Sequence, residues 1–291
     1  MSWQKKINDT LSERVGIRVV RNRPTTPGTQ LSAGKVSSEA RPPADPETDR
    51  LVKAPVFVLS TPRAGSTLLR VLLNSHSQLH APHETHVRRF TVKATTEPAV
   101  QAMEAMGHNA ADVEHLLWDR VLHRELVRSG KRYFVEKTPS NVFVWQRLAT
   151  CWPDGRFIVL LRHPCSIVRS WYEGNPQERP MELALKHTRN YMEYLEHARR
   201  ELDALTVRYE DLTADPALQT RRICDYLGIG WEPGMLQYGR KDHGEFVKGI
   251  GDWSEKIQSG AVQAGRPLPR PQDVPAELLP YARAWGYQVD A

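Results

Sequence analysis

Short apolar runs, each followed by residues at helical spacing, organise most of this chain. Val56 to Leu59 is an unbroken apolar run, and Leu68, Leu69, Val71, Leu72 and Leu73 then fall on a helix opened by Ser66-Thr67. Runs of that kind, without alternation, suit strands buried on both faces. Tyr133 to Lys137, Arg156 to Leu161 and Leu205 to Tyr209 supply further strands. Helices are predicted over much of 99–129, over Asn141 to Cys151, from Ser166 through Trp171, over Glu178 to Asp203, and over Pro216 to Leu227. In the 99–129 region Met103, Met106, Val113, Leu116, Leu117, Val121, Leu122 and Leu126 recur at helical spacing and are expected in the core. Along the helix from Glu178, one face carries Met181, Leu185, Tyr191, Leu195, Ala198 and Leu202. Strands alternating with helices predict an α/β fold, a mostly parallel sheet flanked by helices. Such sheets bind ligands at the carboxyl ends of their strands.

The pattern fades before Pro55. Arg23 to Asp49 is rich in Pro, Ser, Gly and Thr and poor in apolar residues, so residues 1–54 read as an N-terminal arm or linker and 55–291 as one domain. The arm could cover the site or mediate a homodimer. Composition adds little: 40% apolar and 25% charged residues are ordinary for a folded domain. No apolar run approaches the ~20 residues of a membrane span. Met1 to Lys6 lacks the hydrophobic segment of a signal peptide, and Cys151, Cys165 and Cys224 show neither disulfide nor metal-site spacing. A reduced, cytoplasmic protein without a bound metal is expected. The net charge of +6 carries no basic block with interleaved aromatics, so an anionic cofactor is favoured over nucleic acid.

Candidate chemistry gathers at strand ends. Ser60-Thr61-Pro62-Arg63-Ala64-Gly65-Ser66-Thr67-Leu68 links the first strand to a helix N-terminus, where backbone N–H groups lack internal partners and the macrodipole favours an anion. Arg63 adds a permanent fork-shaped cation, and Ser66 and Thr67 add hydroxyls. No lysine precedes the hydroxyl pair, so the loop is not a Walker A motif. The strand Arg156 to Leu161 ends in Arg162-His163-Pro164, a cation where a magnesium-binding carboxylate would stand in a nucleotide hydrolase, and Ser170 follows Arg162 by eight positions.

With both loops in hand, the sequence resembles the sulfotransferases that use 3′-phosphoadenosine-5′-phosphosulfate (PAPS), over residues 55 to about 255. The resemblance implies a P-loop-like three-layer fold. It implies that Arg63, Ala64, Gly65, Ser66, Thr67 and Leu68 form the 5′-phosphosulfate loop, and that Arg162 and Ser170 bind the 3′-phosphate. Val207-Arg208-Tyr209-Glu210-Asp211-Leu212 resembles the next family element, with Tyr209 near the adenosine and 3′-phosphate. Lys248-Gly249-Ile250-Gly251-Asp252-Trp253 resembles the segment that closes over the cofactor, although one residue shorter and with Val247 where cytosolic members carry arginine. Arg63 itself replaces their lysine and matches tyrosylprotein and many bacterial members.

The same resemblance supplies a reaction. Tyrosylprotein sulfotransferases carry a catalytic glutamate in an E-E-T segment 21 positions beyond the loop arginine, and here that position is Glu84, followed by Thr85. His83 and His86 flank it and share the candidacy for the base. Lys137, in Glu136-Lys137-Thr138-Pro139, resembles the lysine that bridges the leaving phosphate and the sulfuryl oxygens. The implied partner is a small-molecule hydroxyl such as a natural product, lipid, phenol or sugar. The segment from Glu84 to Phe90, the 99–129 region and residues after Trp171 are expected around it, with Phe90, Trp118, Trp171 and Tyr172 among them. A kinase-like nucleotide enzyme and a non-catalytic adenosine-bisphosphate-binding module are the alternative readings.

Overall fold

The run beginning at Val56 is the central strand of a five-stranded sheet in the computed structural model, which describes residues 39–244 and 255–289. The strands are β1 (Val56–Ser60), β2 (Leu79–His80), β3 (Tyr133–Glu136), β4 (Arg156–Leu161) and β5 (Ala204–Arg208), in the spatial order β2-β3-β1-β4-β5. Every pairing is parallel, with Val56 opposite Val135 on one side and Arg156 on the other. Side chains alternate across a strand. Val56, Val58, Ile158 and Leu160 therefore enter the core on one face, while Phe57, Leu59, Phe157, Val159 and Leu161 enter the core on the other. Helices cover both faces, which is why the strands read as continuous apolar runs.

Among the described residues the α-helices of six or more residues are α1 (Ser66–Asn74), α2 (Glu97–Ala105), α3 (Ala110–Ser129), α4 (Trp145–Cys151), α5 (Pro164–Glu173), α6 (Met181–Glu201), α7 (Tyr209–Ala214), α8 (Pro216–Leu227) and α9 (Leu279–Ala284). Leu69 and Leu72 of α1 pack on one face of the sheet with Ile223 and Leu227 of α8. The other face takes Trp118 and Leu122 of α3, Leu148 of α4, Met192 and Leu195 of α6, and Ala282 of α9. The chain moves from β1 outward to β2 and β3, then crosses back past β1 to β4 and β5. The loops leaving the carboxyl ends of β1, β3 and β4 meet at that crossover, the usual ligand crevice of such a sheet.

Several elements differ from expectation. Of the residues expected in the core over 99–129, Met106 (59%), Leu116 (43%), Leu117 (39%) and Val121 (40%) are exposed. The region is two helices, and α3 turns Ala111, His115, Trp118, Asp119, Leu122 and Leu126 inward. Its phase is set by the Asn109 cap, where Asn109 and Asp112 form a reciprocal capping box. Its buried stripe admits His115 and Asp119, so counting apolar residues alone misplaced the face. Met181 is likewise exposed at the start of α6. Pro139–Val144 is a 3-10 segment ahead of α4, and Tyr209 opens α7 instead of ending β5. Within the segment expected as an arm, Pro46–Asp49 forms one helical turn. Val52 is fully buried, and Arg50 donates from Nε to the Cys151 carbonyl at 2.8 Å.

Candidate active site

The loop after β1 makes a tight anion cradle. Arg63 (φ 67°) and Gly65 (φ 90°) both take left-handed conformations. At Gly65 nothing larger fits, because a Cβ would lie 2.3 Å from Cδ2 of Tyr209. The loop is thus pressed against the tyrosine ring. No side chain caps α1, whose first residues Ser66, Thr67 and Leu68 line the cavity described below. Ala64 departs from the expected set: its side chain is in the core, and its N–H donates to the Thr61 carbonyl.

A second loop closes on the first. Arg162 donates to the Arg63 carbonyl at 2.7 Å, and Arg63 Nε donates to Ser170 Oγ at 3.1 Å. The Arg162 guanidinium lies 4.5 Å from the Tyr209 ring centroid. Arg63, Arg162, Ser170 and Tyr209 therefore form one cluster, although they come from three separate strand ends. Burial pushes the Arg162 guanidinium below its ordinary pKa, with Tyr209 and Glu210 opposing. Arg162 Nε, Ser60 Oγ and Thr61 Oγ1 are buried without a hydrogen-bond partner among the described residues. Buried polar atoms of this kind usually have partners, so the cluster is unsatisfied as it stands.

Glu84 and Lys137 meet on the other side of the loop. Lys137, 1% exposed, donates from Nζ to Glu84 Oε1 at 2.6 Å. His86 Nε2 lies 3.4 Å from Glu84 Oε2. Burial pushes the Lys137 ammonium down in pKa, and the Glu84 carboxylate opposes that shift. Beneath the pair lies Arg70, whose guanidinium burial pushes down to about 10, again against Glu84. Arg70 donates to the Ala81 carbonyl at 3.2 Å. The Glu84 loop is fixed from below by Thr85, which donates to Glu136 Oε2 at 2.8 Å, while Asn141 donates to Oε1 at 3.0 Å. Burial raises the pKa of Glu136, with hydrogen bonds from Thr138, Thr85 and Asn141 opposing. His83 points elsewhere: it is exposed, with Nδ1 against the Glu84 carbonyl, and does not line the cavity.

One open cavity of about 780 Å³ joins these clusters. Arg63, Gly65, Ser66, Thr67, Leu68, Glu84, Arg162, Ser170 and Tyr209 all line it, as expected from the sequence. Lys137 reaches it through Glu84. Lys248 and Gly249 lie outside the described residues. The expected acceptor wall needs correction. Trp118 is in the core with Nε1 bonded to the Phe90 carbonyl, and neither Phe90, Tyr172 nor the 99–129 region lines the cavity. Of the expected segments, Glu84, His86 and Trp171 do line it, as do Arg179 and Tyr191 beyond Trp171, while Pro139 and Ser140 join them unforeseen. Lys256 and Arg266, from a part of the chain without a readable motif, also line it; sequence reasoning missed both.

Comparison with known proteins bears on the family and the fold. The profile described as "Sulfotransferase family" matches residues 55–233. The nodulation protein NoeE of Sinorhizobium fredii is 26% identical over 226 residues, covering 66% of this chain and 54% of its own length. Protein-tyrosine sulfotransferase 1 of Danio rerio is 23% identical over 232 residues, covering 73% of this chain and 62% of its own. The chain thus spans little more than half the length of these relatives. Among solved structures, the sulfotransferase domain from the curacin biosynthetic pathway superposes with a TM-score of 0.60 at 23% identity, covering 82% of this chain and 99% of that domain. The sulfotransferase domain of the Synechococcus PCC 7002 olefin synthase gives 0.57 at 22%, covering 87% and 100%. Both likenesses are to the fold.

Proposed function

The chain belongs to the sulfotransferase family, and from that membership we propose that it transfers the sulfuryl group of PAPS to a hydroxyl of a small-molecule acceptor. The observation that carries this reading is the joining, in one cavity, of a two-arginine anion cluster with a carboxylate–lysine pair. PAPS needs anion sites at two places, and the residues present fit it. The Gly65 loop, too tight for a Cβ, and the α1 N-terminus suit its 5′-phosphosulfate. Arg162, with its unpartnered Nε, and Ser170 suit its 3′-phosphate. Tyr209, stacked on Arg162, offers a ring face beside them. The donor supplies an activated sulfuryl group; this chain's residues do the rest.

Glu84 is the general base in this reading. It lines the cavity and takes the acceptor proton while the acceptor oxygen bonds to sulfur. The bond from sulfur to the 5′-phosphate oxygen breaks in the same step. Lys137 is held against the Glu84 carboxylate, and as that takes up the proton the released ammonium offers its charge to the leaving phosphate. Arg63 shares that charge. Arg70 remains buried and keeps the region positive throughout. A cavity of about 780 Å³ is within the ordinary range for a small ligand, which supports a small-molecule acceptor. No helix among the described residues is long and apolar enough to cross a membrane.

Labelled-PAPS turnover across an acceptor panel tests the reading, with Glu84→Gln beside the parent. The variant is expected to bind adenosine 3′,5′-bisphosphate like the parent and to lose about 10²–10⁴-fold in transfer. Undiminished transfer would remove Glu84 from the base role. A parent that does not bind the bisphosphate would remove the donor assignment.

A further inference from the structure

Assigning Arg63 and Arg162 to the donor leaves two cations on the cavity wall without a task, the exposed Lys256 and the half-buried Arg179, of which Arg179 stands against an aromatic ring. Arg179 lines the cavity, and no ion pair to it occurs among the described residues. Its guanidinium lies 4.5 Å from the Trp171 ring centroid. Behind it runs an aromatic wall. Trp171 stacks on His187 at 4.4 Å and 17°, His187 meets Tyr191 at 5.1 Å, and Tyr191 meets Phe143 at 4.5 Å. At the far end Arg88 lies 5.6 Å from the Phe143 ring and donates to Ser140 Oγ at 2.9 Å.

The two arginines of the donor half are joined through the Arg63 carbonyl and Ser170, whereas Arg179 lies against Trp171. Arg266 is already paired with Glu173. Glu84 is the one acidic side chain among the described residues lining the cavity, and Lys137 holds it. A neutral acceptor would leave the half-buried Arg179 facing no counter-charge in the cavity. The guanidinium has five N–H donors in a fork that matches a planar oxyanion, and no side-chain hydrogen bond from them occurs among the described residues.

We propose that the acceptor is a hydroxylated aromatic compound bearing an oxyanion, a carboxylate in the simplest case. Its ring lies along the Trp171–Tyr191 wall, its anion sits on Arg179, and its hydroxyl faces Glu84. This rests on the sulfotransferase reading of the same cavity and narrows its acceptor class.

The test uses the full chain saturated with adenosine 3′,5′-bisphosphate. Calorimetry measures binding of hydroxyphenyl and hydroxynaphthyl carboxylic acids, each paired with its neutral methyl ester. The acids are expected to bind at least tenfold more tightly than their esters. Arg179→Met is expected to abolish that preference, with bisphosphate affinity unchanged, and Arg179→Lys to restore part of it. Acid and ester bound alike, or neither bound, would overturn the proposal. So would loss of bisphosphate affinity in Arg179→Met, because the arginine would then serve the donor. Acid-selective binding without sulfate transfer would instead overturn the transferase reading and leave the anion subsite standing.

Discussion

Gly65 shows how one residue links backbone geometry to the proposed chemistry. The loop brings Arg63 back over Ser170 only because the chain turns through two left-handed residues, Arg63 and Gly65. An alanine at 65 would pay a left-handed penalty of roughly 1 kcal/mol. It would also place a methyl group 2.3 Å from Tyr209, and the ring backs Arg162. Gly65→Ala is therefore expected to weaken adenosine 3′,5′-bisphosphate binding by tenfold or more while the fold survives. A titration giving parent affinity would show that the Tyr209 contact does not shape the donor site. His86 is also left-handed (φ 52°) beside Glu84, so strain gathers on both sides of the cavity. That is the usual place for conformations held by their surroundings. Lys137 adds a different cost, because an ammonium removed from water is tolerable only while a partner carboxylate stays close. Replacing Glu84 with glutamine leaves Lys137 one amide oxygen, and replacing it with alanine leaves nothing. The conservative variant is thus the better test of the base.

Among the elements, the segment before β1 and helix α3 depend on one carboxylate. Asp119, 2% exposed, accepts from the Leu51 N–H at 2.7 Å, the Val52 N–H at 3.0 Å and Trp152 Nε1 at 3.3 Å. Asp119→Ala strands three donors near the core and is expected to cost about 3 kcal/mol. Urea unfolding should show a lower midpoint, and transfer per folded molecule should not change, since Asp119 does not line the cavity. A midpoint like the parent's would mean that this tether carries little load. The carboxylate was also invisible to hydrophobic patterning, which explains what could be read in advance. The donor side was legible because each of its parts is local: a strand, a short loop and a helix start lie within consecutive residues at 56–74 and again at 156–173. Glu84 and Lys137 came from spacing within a family pattern, and the fold brings them within 2.6 Å. The acceptor wall was legible only in part, through Trp171 and the segment after it. Trp171, Arg179 and Tyr191 lie on α5, on the turn after it and on α6, and only tertiary packing turns them toward one space. Trp118 failed for the opposite reason, being an aromatic that the core of α3 needs. The two-residue strand β2 is too short to leave a pattern at all.

Across the whole molecule, pH should act on the fold through buried histidines before it acts through carboxylates. His115, 1% exposed, is packed between Trp118 and Trp152 at ring distances of 5.1 and 5.9 Å. Arg147 donates from Nε to His115 Nε2 at 3.0 Å, so that nitrogen must keep its lone pair. Burial, reinforced by Arg147 and Arg50, pushes the imidazole down to about 3. Burial and Lys131 push His80 down to about 4. An unfolded histidine titrates near 6.5. Below that pH the unfolded chain takes up protons that the folded chain refuses, so stability falls as pH falls. The fall continues until the folded pKa is reached. The carboxylates held below their ordinary pKa, Asp112, Glu196 and Glu232 among them, add their loss only at lower pH. Glu136, raised by burial, works in the opposite direction. Between pH 7 and pH 5 the buried His115 should therefore remove about 2 kcal/mol of stability, and the half-buried His80 a smaller amount. Urea midpoints measured across this window should decline, and His115→Gln should flatten the decline by that amount whatever its own stability at pH 7. Parallel pH profiles for parent and variant would show that His115 is protonated as readily in the folded chain as in the unfolded one.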